Sequence, residues 1–344
     1  MSKNLPADSS PNPQPPQHVP SPRLLSGHRA HVAVVGAGAF GSALAACAQA
    51  GGCEVTLLDK PQLATFSGDL SEFDLLILAV PTQALRSVGQ WMHEKIAKPP
   101  GSQGKEFWVV SAAKGIEQKT LLLPHQILAE YLPSQAHIGT LSGPSFAREL
   151  AAGLPTAVVL ASHSKQLRER AELLLHRDFF RVYGASDIVG VEIGGALKNV
   201  IAMVAGAVDG LKLGNNARAA VVTRGLGEIA QVGVALGADP LTFLGLSGLG
   251  DLILTCTGDL SRNRQFGLRA AAGESPAQII ASAGQVIEGV TTAQSAYELS
   301  QKWGLDTPIL KAAYTVLYEN LSIKEAVFAL LSRERKGEFD WIRK

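Results

Sequence analysis

The apolar positions change rhythm once along the 344-residue chain. Before Ser186 they come in short, nearly continuous runs: HVAVV (31–35), EVTLLD (54–59), DLLILAV (74–80), FWVVSAA (107–113), HIGTLSG (137–143), TAVVLA (156–161) and FFRVYG (179–184). Runs that are apolar at consecutive positions suit strands covered on both faces, and helical patterns lie between most of them. This predicts a doubly wound, mainly parallel α/β sheet whose ligands gather at the carboxyl ends of the strands. Polar groups follow those ends at Pro81-Thr82-Gln83, Lys114-Gly115 and Pro144-Ser145. From Ser186 onward the strand signals stop and helical spacing takes over, in 188–211, 216–236, 276–281, 291–303, 309–319 and 323–331. An all-α domain is expected there.

The first run carries the clearest motif. HVAVV leads into GAGAFG and then into the helical SALAACAQAG, which is the strand, tight turn and helix of a Rossmann-type dinucleotide site. Gly36 permits the turn, Gly38 lets a pyrophosphate approach the backbone, and Gly41 allows the helix to pack closely on the strand. Ala39 and Phe40 fill the variable positions, and the phosphates fall on the helix N-terminus. Asp59, at the end of the next strand, has the spacing of a ribose-binding acid, and a carboxylate there suits NAD over NADP. Lys60 beside it points the other way, and a helix cap is the alternative role for Asp59. Three segments are therefore expected: an N-terminal extension (1–28), a dinucleotide-binding domain (29–187) and a helical domain (188–344). The extension is rich in Pro, Ser, Asn and Gln and holds too few large apolar groups to order itself.

The helix VEIGGALKNVIAMVAG (191–206) holds a lysine, Lys198, in its most apolar part. Its neighbours one turn away are Gly194, Gly195, Ile201 and Ala202, so no carboxylate shares its row and open space is expected beside the charge. A snorkelling lysine is the structural alternative. A second segment, 245–267, reads as loop-like: glycines at 245, 248 and 250 are followed by Asp251, Thr255, Ser261, Arg262, Asn263 and Arg264. Arginine with neutral donors suits an anion, and a helix N-cap with surface arginines is the competing reading.

Composition narrows the classes. With 46% hydrophobic and 18% charged residues the chain is globular, and a formal net charge of +1 gives no footprint for nucleic acid or an anionic membrane. Cys47, Cys53 and Cys256 are too few for a disulfide framework and lack metal-ligand spacing, so no metal and a reducing compartment are expected. The uncharged run 30–53 is interrupted by glycines and exceeds a signal-peptide core, and no other stretch is read as long and apolar enough to span a bilayer.

In order along the chain, GAGAFG, VPTQALR, SAAKGIE, LSGPSFA, VEIGGALKNVIAMVAG, GLSGLGDLILTC, SRNRQFG and QVIEGV together resemble the NAD(P)-dependent glycerol-3-phosphate dehydrogenases of bacterial type, over roughly residues 30 to 335. The resemblance implies a Rossmann domain followed by a helical domain like that of 6-phosphogluconate dehydrogenase. It implies interconversion of dihydroxyacetone phosphate and sn-glycerol 3-phosphate with NAD(P)H, supplying phospholipid synthesis, by a cytoplasmic homodimer with no nucleic-acid partner and no membrane insertion. By motif it makes Lys198 the acid/base, Lys114 a second catalytic lysine near cofactor and substrate, and Asp251 and Thr255 their surroundings. It assigns Gly143, Ser145 and Asn199 to the substrate, Arg262 and Asn263 with Ser261 to its phosphate, and Ala147, Arg262, Val286 and Glu288 to the cofactor. The 60–73 segment is shorter than usual for the family and lacks its common basic residue. Two alternatives are a related dehydrogenase for a 2-hydroxy or 2-keto acid, and a non-catalytic dinucleotide-binding protein.

Overall fold

A computed structural model describes residues 29–96, 106–334 and 337. The predicted N-terminal extension and the end of the tail lie outside the described residues. Seven strands form one sheet: β1 (His31–Val35), β2 (Glu54–Leu58), β3 (Leu75–Leu78), β4 (Phe107–Ser111), β5 (Ala136–Ser142), β6 (Thr156–Ala161) and β7 (Phe180–Ala185), in the order β2-β1-β3-β4-β5-β6-β7. Every neighbouring pair is parallel except β5 with β6. The strand order reverses between β1 and β3, which is where a doubly wound sheet opens its ligand crevice.

The run pattern has a direct physical outcome. Val32, Val34, Leu75, Ile77 and Val110 point into one apolar layer, while Ala33, Val35, Leu76, Leu78 and Val109 point into the layer on the opposite face. Alternate residues of a strand face opposite ways, so a sheet covered on both sides needs apolar side chains at both parities.

All seven strands precede Ile188, and the described chain beyond it is helical. The central element is the Ile188–Gly210 helix, around which the Asn215–Ala235, Asp251–Thr257, Arg262–Ala271 and Glu288–Lys302 helices pack. Its apolar side chains form the second core together with Ile116 and Leu123, which reach across from the sheet half. By length and composition this helix could cross a bilayer, contrary to the expectation that no further stretch could. It is instead enclosed, with 89% of its most apolar window buried, because helices and the β5 and β6 strands pack around it and its apolar surface is then satisfied by protein.

Segment 245–267 is not a loop. It is a π-helical turn (Leu246–Gly250) running into the Asp251–Thr257 helix, followed by the Arg262–Ala271 helix that Ser261 caps by accepting from the Arg264 amide at 3.2 Å. The glycines that suggested a loop serve close packing: a Cβ on Gly248 would stand 2.2 Å from the Phe243 carbonyl oxygen.

Candidate active site

The turn after β1 is closed on one side and open on the other. Gly36 has φ +103°, and its amide donates to the Leu58 carbonyl at 2.7 Å. A Cβ on Gly41 would lie 1.9 Å from the Gly36 oxygen, so only glycine lets the Ala39–Ala50 helix come this close. A Cβ on Gly38 would meet nothing within 4 Å. That open face, at the N-terminus of a twelve-residue helix with no acid in its first turn, is a cradle shaped for a pyrophosphate.

The cradle opens into a cleft of about 670 Å³ between the sheet edge and the helical half. Gly38, Ala39, Phe40, Lys114, Ser145 and Ala147 line it from the carboxyl ends of β1, β4 and β5. Facing them are Lys198 and Asn199 of the central helix, Thr255, Ser261, Arg262 and Asn263 of the 245–267 segment, and Val286 and Glu288. Gly36 and Gly41 shape the turn behind the cradle, and Gly143 and Asp251 stand behind the two lysines. Asp59 is not among the lining residues. It is exposed at the end of β2, where it occupies the N-cap of the Lys60–Thr65 helix and its amide donates to the Gln62 side chain at 3.2 Å.

On the cleft floor two ammonium groups share one carboxylate. Lys198 Nζ donates to Asp251 Oδ1 at 2.5 Å and to Thr255 Oγ1 at 2.8 Å, and Lys114 Nζ donates to Asp251 Oδ2 at 2.8 Å and to the Gly143 carbonyl at 3.1 Å. Asp251 is 1% exposed and Lys198 6%, so neither charge is relieved by bulk water. Burial pushes the Lys198 ammonium down to about 8 against the attraction of Asp251, and the Lys114 charge adds to the lowering. Burial alone would raise the Asp251 carboxyl, but the Lys114 and Lys198 ammoniums outweigh it and hold it below its usual value. A lysine in this state exchanges a proton near neutral pH, which an ordinary surface lysine does not.

Also on the cleft wall, Arg262 Nη1 donates to the Gln285 side chain and to the Val286 carbonyl, both at 2.9 Å, which leaves the rest of the fork without a partner among the described residues. Asn263 accepts from the Gly289 amide at 3.0 Å and donates to Asn199 Oδ1 at 2.9 Å, so one of its amide hydrogens remains for a ligand. The Arg262–Ala271 helix sits this close to the central helix through a glycine pair: a Cβ on Gly267 would be 1.9 Å from the Met203 oxygen, and one on Gly206 would be 2.0 Å from the Arg264 oxygen.

The chain is similar to known proteins over most of its length. Family models described as the C-terminus and the N-terminus of NAD-dependent glycerol-3-phosphate dehydrogenase match residues 187–328 and 61–168. The glycerol-3-phosphate dehydrogenase (NAD(P)+) of Citrifermentans bemidjiense is 43% identical over 336 residues, which cover 89% of this chain and 98% of that one. The enzyme of the same name from Thiobacillus denitrificans is 49% identical over 276 residues, 80% of this chain and 82% of the other. The crystal structure of glycerol-3-phosphate dehydrogenase from Coxiella burnetii aligns with a TM-score of 0.81 at 34% identity, covering 89% and 99% of the two chains. The chain belongs to the NAD-dependent glycerol-3-phosphate dehydrogenase family.

Within this glycerol-3-phosphate dehydrogenase fold the space expected beside Lys198 is already taken. A Cβ on Gly194 would stand 2.7 Å from the Ser247 carbonyl oxygen, and one on Gly195 would be 2.6 Å from Ser142 Oγ and 3.7 Å from Lys114 Cγ. The two glycines admit the π-helical turn and the Lys114 stem, and the cleft opens beyond them. The carboxylate missing from the row arrives from Asp251, 53 residues away in sequence. Sequence reasoning passed over Ala79, Val80, Phe146, Arg148, Gln285 and Ile287, which also line the cleft. Val80, Phe146, Gln285 and Ile287 stood inside the motifs VPTQALR, LSGPSFA and QVIEGV, while Ala79 and Arg148 were marked only by adjacency to them and to Ala147. Arg148 is exposed and makes no hydrogen bond or ion pair to the described residues. No group of three or more His, Cys, Asp and Glu among the described residues could hold a metal.

Proposed function

We propose that the chain interconverts dihydroxyacetone phosphate and sn-glycerol 3-phosphate with NAD(P)H, with Lys198 as the proton donor in the reducing direction. The observation that carries this reading is the pair of ammoniums, Lys198 and Lys114, converging on buried Asp251 beside a cleft whose lining also offers a pyrophosphate cradle and an unfilled Arg262 fork. Bound on the Gly38 face, a reduced nicotinamide dinucleotide supplies the hydride. Reduction of the ketone develops an alkoxide, and Lys198 holds a proton for that oxygen at a pKa suited to neutral pH. Lys114 adds positive charge toward the same oxygen, and Asp251 keeps the two ammoniums from repelling each other apart. Arg262 and Asn263, with Ser261 beside them, take the substrate phosphate, so binding energy remote from the carbonyl orients it. Asn199 orients Asn263, and Gly143 and Ser145 order the Lys114 side of the cleft: both Lys114 and the Ser145 hydroxyl donate to the Gly143 carbonyl.

Cofactor contacts fall to Gly38, Ala39, Phe40, Ala147, Val286 and Glu288, and both NADH and NADPH are candidate donors. We also propose a division between the two domains at 187/188, a cytoplasmic homodimer and a product destined for phospholipid backbones. Exposed Leu241, Leu244 and Ile253 in the helical half support the dimer. The test is the initial rate of NADH and NADPH oxidation with dihydroxyacetone phosphate. Failure of the purified protein to oxidise either cofactor sinks the reading.

A further inference from the structure

The proposed chemistry uses Lys114 but leaves unexplained how a lysine on the sheet half keeps its register with Asp251 on the helical half. The segment after Lys114 supplies a joint. The Ile116 carbonyl, two residues downstream, uses both of its acceptor sites. From the sheet side Gln83 Nε2 donates to it at 2.9 Å, and from the Glu288–Lys302 helix the Ser295 hydroxyl donates at 3.2 Å. The Gln83 amide closes a second bond by accepting from the Gln118 amide at 3.1 Å, so one side chain brackets residues 116 and 118. Gln118 in turn donates to Gln294 on the helical side at 2.9 Å. Ser295 is 0% exposed, and Ile116 is equally enclosed in the helical core.

The rest of the segment is held just as firmly. Glu117 receives Arg86 through two nitrogens, at 2.9 and 2.8 Å, and also accepts from Thr120. Lys119 and Leu121 both have positive φ, 70° and 61°, a conformation that non-glycine residues keep only where the surroundings over-determine it. The helix that provides Ser295 begins at Glu288, whose carboxylate lies near Gly115 on the wall of the cleft. Moving that helix therefore moves the joint, and moving the joint moves Lys114.

We infer that Gln83 and Ser295 are positioning residues for Lys114: by gripping the Ile116 carbonyl from the two halves of the molecule, they set the Lys114 ammonium against Asp251. This rests on the dehydrogenase reading for its catalytic consequence, but not for its structural one. Lys198 faces Asp251, Lys114 and Cys256. When Lys114 drifts away, Lys198 loses a neighbouring positive charge and gains a larger share of the carboxylate, and both changes favour its ammonium form.

The experiment compares Gln83→Leu, Gln83→Glu and Ser295→Ala with the intact protein. Gln83 is exposed, and Ser295→Ala removes a single oxygen, so folded variants are expected. The first readout needs no turnover: ¹³C-lysine labelling follows the Lys198 Cε signal through its titration, with Lys198→Arg assigning the peak. All three variants should move the Lys198 midpoint upward by about one pH unit. Gln83→Glu should act like Gln83→Leu, since it still accepts from Gln118 but can no longer donate to Ile116. The second readout is kcat/KM for dihydroxyacetone phosphate, which should fall about tenfold to a hundredfold with its alkaline limb displaced upward. Ser300→Ala is the control, because that hydroxyl is also 0% exposed on the same helix but bonds only the Ala296 carbonyl, at 2.8 Å. It should leave both readouts unchanged. A lower melting temperature with an unmoved Lys198 midpoint in the Gln83 and Ser295 variants overturns the inference, as does a Gln83→Glu variant that titrates like the intact protein. A shifted midpoint in a protein without turnover would uphold the joint and count against the dehydrogenase reading alone.

Discussion

Replacing Asp251 by Asn keeps the shape of the side chain that both lysines touch and removes its charge. Lys198 titrates near 8 instead of its ordinary 10.5, so the site disfavours its ammonium by roughly 3 kcal/mol, at about 1.4 kcal/mol per pH unit. Asp251 is the largest influence opposing that shift. An adjacent opposite charge is worth about 1 to 3 pH units, so Asp251→Asn should bring Lys198 down to between about 5 and about 7. At about pH 7.5 roughly three quarters of Lys198 is ammonium in the intact protein, and at most about a quarter should be in the variant. The assay is kcat/KM for dihydroxyacetone phosphate reduction between about pH 6.5 and about pH 9.5, since this parameter reports groups of the free enzyme. The intact protein should lose activity above about pH 8, and the variant should decline across the whole range. Oxidation of glycerol 3-phosphate requires the neutral amine, so there the variant should hold its activity to lower pH than the intact enzyme does. This opposition separates a pKa effect from general damage, which lowers both directions at every pH. An alkaline limb that stays near 8 in the variant would refute the reasoning.

Arg262→Ala removes the unfilled fork on the cleft wall. The KM for dihydroxyacetone phosphate should rise tenfold or more, corresponding to about 1.5 to 3 kcal/mol for a charged hydrogen bond, and an unchanged KM removes Arg262 from the phosphate site. Gly267→Ala would put a Cβ 1.9 Å from the Met203 oxygen, against backbone that cannot swing aside. A loss of about 1 to 3 kcal/mol or more should appear in the denaturant midpoint, and a midpoint equal to the parent's would contradict the close helix crossing. Glu228 accepts from the Ile309 and Leu310 amides at 2.8 and 3.0 Å, and burial pushes its carboxyl up to about 8. Its contribution to stability is therefore full below its ordinary 4.5 and is lost as pH rises through about 8. The melting temperature of Glu228→Gln relative to the parent should climb across that window, and a pH-independent difference would show that the carboxyl is already ionised in the fold.

How much of this was legible depended on the range of the interaction. The strands were readable because burial on both faces of a sheet is written into consecutive residues, as in Leu75–Leu78. The nucleotide turn was readable because its steric demands fall within six residues, with Gly36 and Gly41 touching each other. Lys198 stood out by local contrast with an apolar helix. Its environment was not written in local spacing, since the carboxylate lies 53 residues from Lys198 and 137 from Lys114, and Asp251, Thr255 and Lys114 were expected there only through the family resemblance. Outside that turn glycine was poorly legible, because the sequence shows the missing side chain but not what fills its place. At Gly194, Gly195 and Gly248 the vacancy admits another segment's backbone or side chain, so the inferred loop was misread and the open space beside Lys198 lies in the cleft rather than over its glycines.

The same glycines explain why the cleft can be built at all. A buried Lys-Asp-Lys cluster is costly to desolvate and holds together only if its geometry is tightly set. Three elements must meet within hydrogen-bond reach: the end of β4 with Lys114, the central helix with Lys198 and the 251–257 helix with Asp251. Helices normally keep their axes about 8 to 10 Å apart because side chains intervene. Gly194 and Gly195 remove those side chains one turn before Lys198, and Gly206 and Gly267 do so on the far side, bringing Arg262 and Asn263 into the same cleft. The apolar length of the central helix follows from this role. A rod packed against by neighbours on every side carries polar groups only where they are spent, and in its buried stretch those groups are Glu192, which His125 engages, and Lys198 with Asn199 beside it.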